Sequence, residues 1–176
     1  MSANEIAEPV KWLGETIGFW VQNGILTISA IAAIWVIKSS KTQEKRRATI
    51  DVVMHQKKDD ALQSARRVVL KLHESGECNF AKYLESTSSE EYKSILLVLN
   101  GYEFVASGIR EGAFDEKTYK RLRYSTVLRD WGNLCAFILA FRRSKKIDEL
   151  FQEFEWLYEQ WKDRPLKPYR KRWRLF

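Results

Sequence analysis

Cysteine, histidine, proline and glycine are all scarce in this chain of 176 residues, and each scarcity closes off a class of protein. Two cysteines, Cys78 and Cys135, make neither a disulfide scaffold nor a metal framework. They read as reduced thiols of the kind the cytoplasm maintains. A catalytic thiol needs an exposed, electropositive setting, whereas Cys135 lies within an apolar stretch and Cys78 has no cysteine near it in sequence. The two histidines, His55 and His73, fall 18 residues apart on one predicted helix. That is about 27 Å along the axis, too far to share a metal ion through that helix. Neither lies in an HExxH spacing, and Gly108 and Gly112 lack the lysine and hydroxyl of a nucleotide-binding loop. These absences predict no metal, no cofactor and no enzymatic role.

No proline occurs between Pro9 and Pro165, and only eight glycines are present, which favours long uninterrupted helices. Neither an internal repeat nor a low-complexity segment stands out. The chain carries 30 Lys and Arg against 23 Asp and Glu, a formal net charge of +7. Such a surface is drawn to anionic lipid or nucleic acid.

What the chain has in abundance is one apolar run. Residues 16–37, TIGFWVQNGILTISAIAAIWVI, hold 22 residues without a charge. As a helix this crosses a hydrocarbon layer of roughly 30 Å, and a helix pairs its backbone polar groups internally, as a bilayer demands. A buried core helix is the alternative, because Gln22 and Asn23 cut the strictly apolar run to residues 24–37. An interfacial helix would need a charged face, which this stretch lacks. Trp20 and Trp35 stand near its two ends, where amphipathic rings favour the headgroup level. Glu5, Glu8 and Glu15 precede the run with a single Lys11. Lys38, Lys41, Lys45, Arg46 and Arg47 follow it. Basic flanks stay on the cytoplasmic side. The segment therefore predicts a single-pass bacterial inner-membrane protein with residues 1–15 outside and residues 38–164 as a cytoplasmic helical domain. A basic aromatic tail, 165–176, closes the chain. Pro9, Val10, Trp12 and Leu13 suit either an early start of the same helix or a short interfacial one.

Beyond the anchor the pattern is all-α, an irregular bundle of four to five helices. From Lys38 to about Glu74 nothing interrupts the chain. Ile50, Val53, Met54, Ala61, Ala65, Val68, Val69 and Leu72 recur at helical spacing, thinning out between Met54 and Ala61. A short element over 79–84 follows. Ser88 and Glu91 have the spacing of a capping box, starting a helix whose apolar surface includes Tyr92, Ile95, Leu99, Tyr102, Phe104, Val105 and Ile109 and which stops at Gly112. Gly101 and Gly108 inside it predict close approach of another helix. Asp115 starts the next helix, with a break or bend expected near Ser125 and Thr126. Residues 127–141 are the richest apolar stretch of the domain. Arg129 and Asp130 inside it mark a core helix rather than a second span. A last helix over about 148–161 ends before Pro165.

Glu103, Glu153 and Glu155 lie close to apolar helix faces, with Arg110, Arg129 and Arg142 available to them. Structural ion pairing by Glu103, Arg142 and Glu155 is the expected use. Two basic patches remain: the membrane-proximal Lys38, Lys41, Lys45, Arg46 and Arg47, and the tail. In the tail Arg170, Arg172, Trp173, Arg174 and Phe176 interleave charge with rings, a composition that suits lipid, a protein partner or stacked bases.

The segment LNGYEFVASGIREGAFDEKTYKRL, with residues 128–131, 137–142 and LFQEFEWLYEQW, resembles an uncharacterised bacterial and phage family, the domain of unknown function numbered 4760. The resemblance covers about residues 38–162 and rests on Asn100, Glu103, Gly108, Ile109, Gly112, Trp131, Arg142, Phe154, Glu155 and Trp161. Where the family usually has an aromatic after the asparagine, this chain has Gly101 and then Tyr102. The resemblance implies a helical domain, membrane-anchored in many members, in a prophage or mobile-element setting. It brings no catalytic residues. Together these readings predict a membrane-anchored protein-interaction or regulatory module, with interference with infection or superinfection as the extension the resemblance suggests. A protein partner, self-association and anionic lipid are its expected contacts. A membrane-tethered nucleic-acid binder using the tail is the alternative, and an enzyme of unknown class the remaining one.

Overall fold

A computed structural model describes residues 11–12, 15–76 and 80–167. The fold is all-α apart from one two-residue ladder, and the chain divides into two units, Met1–Gln43 and Glu44–Phe176.

In the first unit β1, Lys11–Trp12, pairs antiparallel with β2, Glu15–Thr16, Lys11 facing Thr16 and Trp12 facing Glu15. Lys11 and Trp12 are therefore strand and not helix, while Pro9, Val10 and Leu13 lie outside the described residues. Helix α1, Ile17–Lys58, starts directly after β2. Its best 18-residue window has a mean hydropathy of 1.6 and none of it is buried. Ile28 is 69% and Trp35 70% exposed, so the stretch is no core helix. Asn23, the weak point of the apolar run, donates its side-chain amide to the Phe19 carbonyl at 3.0 Å, and the Thr27 hydroxyl donates to the Asn23 carbonyl at 2.8 Å. Polar groups satisfied within the helix are cheap to place in hydrocarbon.

The second unit begins with the last turns of α1. Thr49, Val53 and Gln56 are buried there, while Ile50 and Met54 are about half exposed. The Thr49 hydroxyl donates to the Lys45 carbonyl at 2.7 Å and accepts from the Asp115 N–H at 2.8 Å, tying α1 to the start of a later helix.

The predicted continuous helix to Glu74 is interrupted at Asp59. Helix α2 runs Asp60–Glu74, and Asp59 caps it, its carboxylate accepting from the Leu62 N–H at 3.0 Å. The sequence KKDD explains the break. Lys57 and Lys58 sit in the last turn of α1 and Asp60 in the first turn of α2, the charges that helix C- and N-termini respectively favour. His55 and His73 consequently lie on separate helices, and the axial spacing expected for one continuous helix does not apply.

A 3₁₀ turn, Phe80–Glu85, leads to α3, Glu90–Arg110. Its cap is Ser89, accepting from the Tyr92 N–H at 3.1 Å, and not Ser88. With the cap shifted by one residue, Tyr92 occupies the position that a capping box gives to glutamate. Gly112 takes φ +72 after the last turn, the left-handed geometry that glycine adopts without strain. A Cβ on Gly108 would collide with the Phe114 ring; the expected close approach is therefore made by the turn that follows α3 and not by another helix. At Gly101 a Cβ would meet Leu62 and Gln56 only at ordinary contact distance.

Helix α4, Glu116–Lys145, runs unbroken through Ser125 and Thr126. Asp115 caps it, accepting from the N–H and hydroxyl of Thr118. Helix α5, Gln152–Lys162, starts later than Asp148. Helix α3 lies against α2 and α5, and α4 against α5 and the 3₁₀ turn. The core joins Ile95, Val98, Leu99 and Tyr102 of α3 with Leu134, Phe137 and Ile138 of α4 and Phe154, Leu157 and Trp161 of α5. Tyr102 stacks on Phe154 with centroids 4.4 Å apart, and Trp131 meets Phe154 edge-on at 5.1 Å. Phe104, counted with the apolar face in sequence, is exposed, as are Leu122 and Leu139.

Candidate functional site

Two polar clusters are built into this apolar bundle. The first is centred on Asp130, the acid inside the richest apolar stretch. Only 6% exposed, it accepts the Tyr102 hydroxyl at 2.5 Å on Oδ2, and Arg129 at 3.0 Å from Nε and 2.9 Å from Nη2 on Oδ1. A buried carboxylate is tolerated when it is paired in this way. Burial, then the neighbouring Asp130 charge, push the Tyr102 phenol well above its ordinary pKa. Tyr102 therefore stays a donor. Tyr119, buried nearby on α4, is pushed up to about 12, chiefly by burial, and its hydroxyl has no partner among the described residues.

Arginines surround this centre. The Arg66 guanidinium of α2 lies 5.4 Å from the centroid of the Tyr102 ring, a cation–π contact. A cavity of about 210 Å³ opens between α2 and α4, walled by Gln63, Arg66, Arg67, Arg129 and Asp130 with three aliphatic side chains. The cluster was not read from the sequence as a site. Asp130 interrupting an apolar window was its available signal, but Tyr102 and Arg66 stand on other helices.

The second cluster holds the start of α5. Phe151 caps this helix with φ +58 and no side-chain bond, so its first amides need acceptors from elsewhere. Glu103 of α3 supplies them, accepting from the N–H groups of Glu153 at 3.2 Å and Phe154 at 2.9 Å. Its carboxyl is pushed above the ordinary value by burial, with the two backbone bonds pulling the other way. Arg142 pairs with Glu155 at 2.8 Å and donates from Nε to the Leu150 carbonyl at 2.8 Å. Arg110 pairs with Glu153 at 2.7 Å. The structure thus groups Glu103, Arg142 and Glu155 around one helix end, with Glu103 serving backbone amides and Arg142 and Glu155 paired.

Lys38, Lys41, Lys45, Arg46 and Arg47 are all exposed on α1. Arg170, Arg172, Trp173, Arg174 and Phe176 lie outside the described residues. Cys135 is half-buried on α4, its thiol near the Gly132 carbonyl. Among the described residues no group of three or more His, Cys, Asp or Glu is placed to hold a metal ion.

Comparison with curated proteins and with solved structures finds no match. A family model does match, over residues 23–161. The matched span begins inside the apolar stretch of α1, earlier than residue 38, so it takes in most of the anchor as well as the bundle. It covers well over half of the chain: the protein belongs to the family described as a domain of unknown function, DUF4760.

Proposed function

We propose that this protein is a single-pass membrane-anchored interaction module whose helical unit, on the cytoplasmic side, binds a protein partner rather than performing catalysis. The observation that carries the reading is the uncovered apolar half of α1, a helix whose distal turns contribute Thr49, Val53 and Gln56 to a folded unit. An anchor continuous with a domain favours a protein whose work depends on being held at a surface. Orientation is argued from charge: Glu5, Glu8 and Glu15 before the anchor, Lys38, Lys41, Lys45, Arg46 and Arg47 after it.

The contact surface in this reading has two parts. Phe104 is 61% exposed and Leu122 50%, and the tail carries Arg170, Arg172, Trp173, Arg174 and Phe176. Arginine and aromatic side chains dominate binding energy when an interface buries them. The prophage setting implied by the family resemblance extends the reading to a partner used in infection, which plaque counts with and without expression would test.

Capture of the tagged protein from its native membranes in mild detergent, at low and high salt, tests the reading. A protein partner retained at high salt and lost on deletion of residues 165–176 supports it. Retention of nucleic acid alone, released steeply by salt, would replace it with the nucleic-acid reading. Protease protection of a C-terminal tag in inverted vesicles would reverse the orientation.

A further inference from the structure

The cavity between α2 and α4 has an unbalanced charge. Three arginines, Arg66, Arg67 and Arg129, face one carboxylate, Asp130. That carboxylate is fully used: Tyr102 occupies one oxygen and both Arg129 contacts fall on the other. Arg66 and Arg67 are left without a carboxylate partner among the described residues. Arg67 reaches only the Ser64 hydroxyl, at 2.9 Å.

Arg66 is the more telling of the two. Its Nε and Nη2 are buried and have no hydrogen-bond acceptor among the described residues. The Tyr102 ring answers its charge but cannot accept its N–H bonds in the way an oxygen does. Guanidinium nitrogens buried without acceptors are costly. A second arginine repeats the pattern: Nε and Nη2 of Arg123 are also buried without acceptors. The charges of Arg123 and Arg66 both act on Tyr119, so the two guanidinium groups raise the potential of one region. Such a region attracts an anion, and a low-dielectric wall strengthens the attraction.

We propose that the α2–α4 cavity is a binding site for a phosphoryl group, held by Arg66 and Arg67 with Arg129 on the opposite wall. A phosphoryl group fits better than a carboxylate because a phosphomonoester carries about −1.5 to −2 charge at neutral pH, which matches two uncompensated guanidinium groups. The planar fork of arginine suits phosphate oxygens. At about 210 Å³ the cavity is smaller than the usual range for drug-sized ligands. The site therefore takes a phosphate group, or the phosphate end of a larger molecule whose remainder stays outside. A soluble phosphomonoester and the headgroup of phosphatidic acid, itself a phosphomonoester, share this chemistry. The site is independent of protein capture by the tail.

The test uses the full chain in a non-ionic maltoside detergent. Inorganic phosphate is titrated by calorimetry, and in parallel the unfolding midpoint is compared in nanodiscs of phosphatidylcholine with and without phosphatidic acid. Saturable phosphate binding, weakened at least about tenfold by Arg66→Gln and about threefold by Arg67→Gln, supports the site with a soluble ligand. A midpoint raised only by phosphatidic acid, with the rise lost in both variants, supports it with a headgroup as the source. Arg143→Gln, an exposed arginine of α4 that does not line the cavity, should leave either signal unchanged. If Arg66→Gln fails to fold, Arg67→Gln decides alone, since its side chain is at the exposed rim. Absence of both signals in the wild type, or signals that the folded variants leave intact, overturns the proposal.

Discussion

Two buried tyrosines in this bundle carry similar hydroxyls with opposite consequences. Tyr102 donates to Asp130, and Tyr119 donates to nothing among the described residues. Removing the first hydroxyl leaves a buried carboxylate short of a donor, whereas removing the second relieves an unsatisfied group. Tyr102→Phe should therefore destabilise the protein by about 1–3 kcal/mol, and Tyr119→Phe should be neutral or slightly stabilising. Thermal and denaturant unfolding in detergent reads both; equal losses would contradict the pairing. Asp130 was legible in sequence as a charge within an apolar window. Its partner was not, because Tyr102 lies 28 positions away and the bond exists only once α3 and α4 are packed.

At the scale of elements, helix ends decide most of the differences between expectation and structure. Asp59 turns one predicted helix into two, and Asp59→Ala should lower stability by about 1 kcal/mol through loss of the α2 cap. Unfolding midpoints would check this, and no change would mean that the break is held by packing instead. Glu103 caps α5 from another helix, a role invisible to any local pattern. Its carboxyl is raised above 4.5, first by burial. A group raised on folding favours the folded state most fully below its unfolded pKa. That contribution is lost as pH rises through the folded value. The stability of wild type relative to Glu103→Gln should therefore decline as pH rises from below 4.5 to above that raised value. Paired melts across this range test it, and a flat difference would remove Glu103 as a titrating cap. Asp115 and Gly112 were legible because their caps are local. Ser89 was misplaced by one residue because Ser88 and Ser89 are chemically alike, and only the α3 backbone selects between them.

For the whole molecule, the division between Met1–Gln43 and Glu44–Phe176 sets the main prediction. A chain lacking residues 1–43 should leave the membrane fraction and still unfold cooperatively with high helical content, because Thr49, Val53 and Gln56 remain with the second unit. Fractionation and circular dichroism would show it; a cut chain that stays in the membrane pellet in folded form would make the apolar helix dispensable as an anchor. By itself the sequence determined the anchor, the all-α class, the absence of local catalytic motifs and most helix locations, because hydropathy, proline scarcity and local caps act over a few residues. Only tertiary structure decided which polar groups meet inside. Tyr102 with Asp130, Glu103 with the α5 amides, and the arginines around one cavity are contacts between helices far apart in sequence. Burial raises the stakes of such contacts, since a polar group removed from water must find its partner across the core.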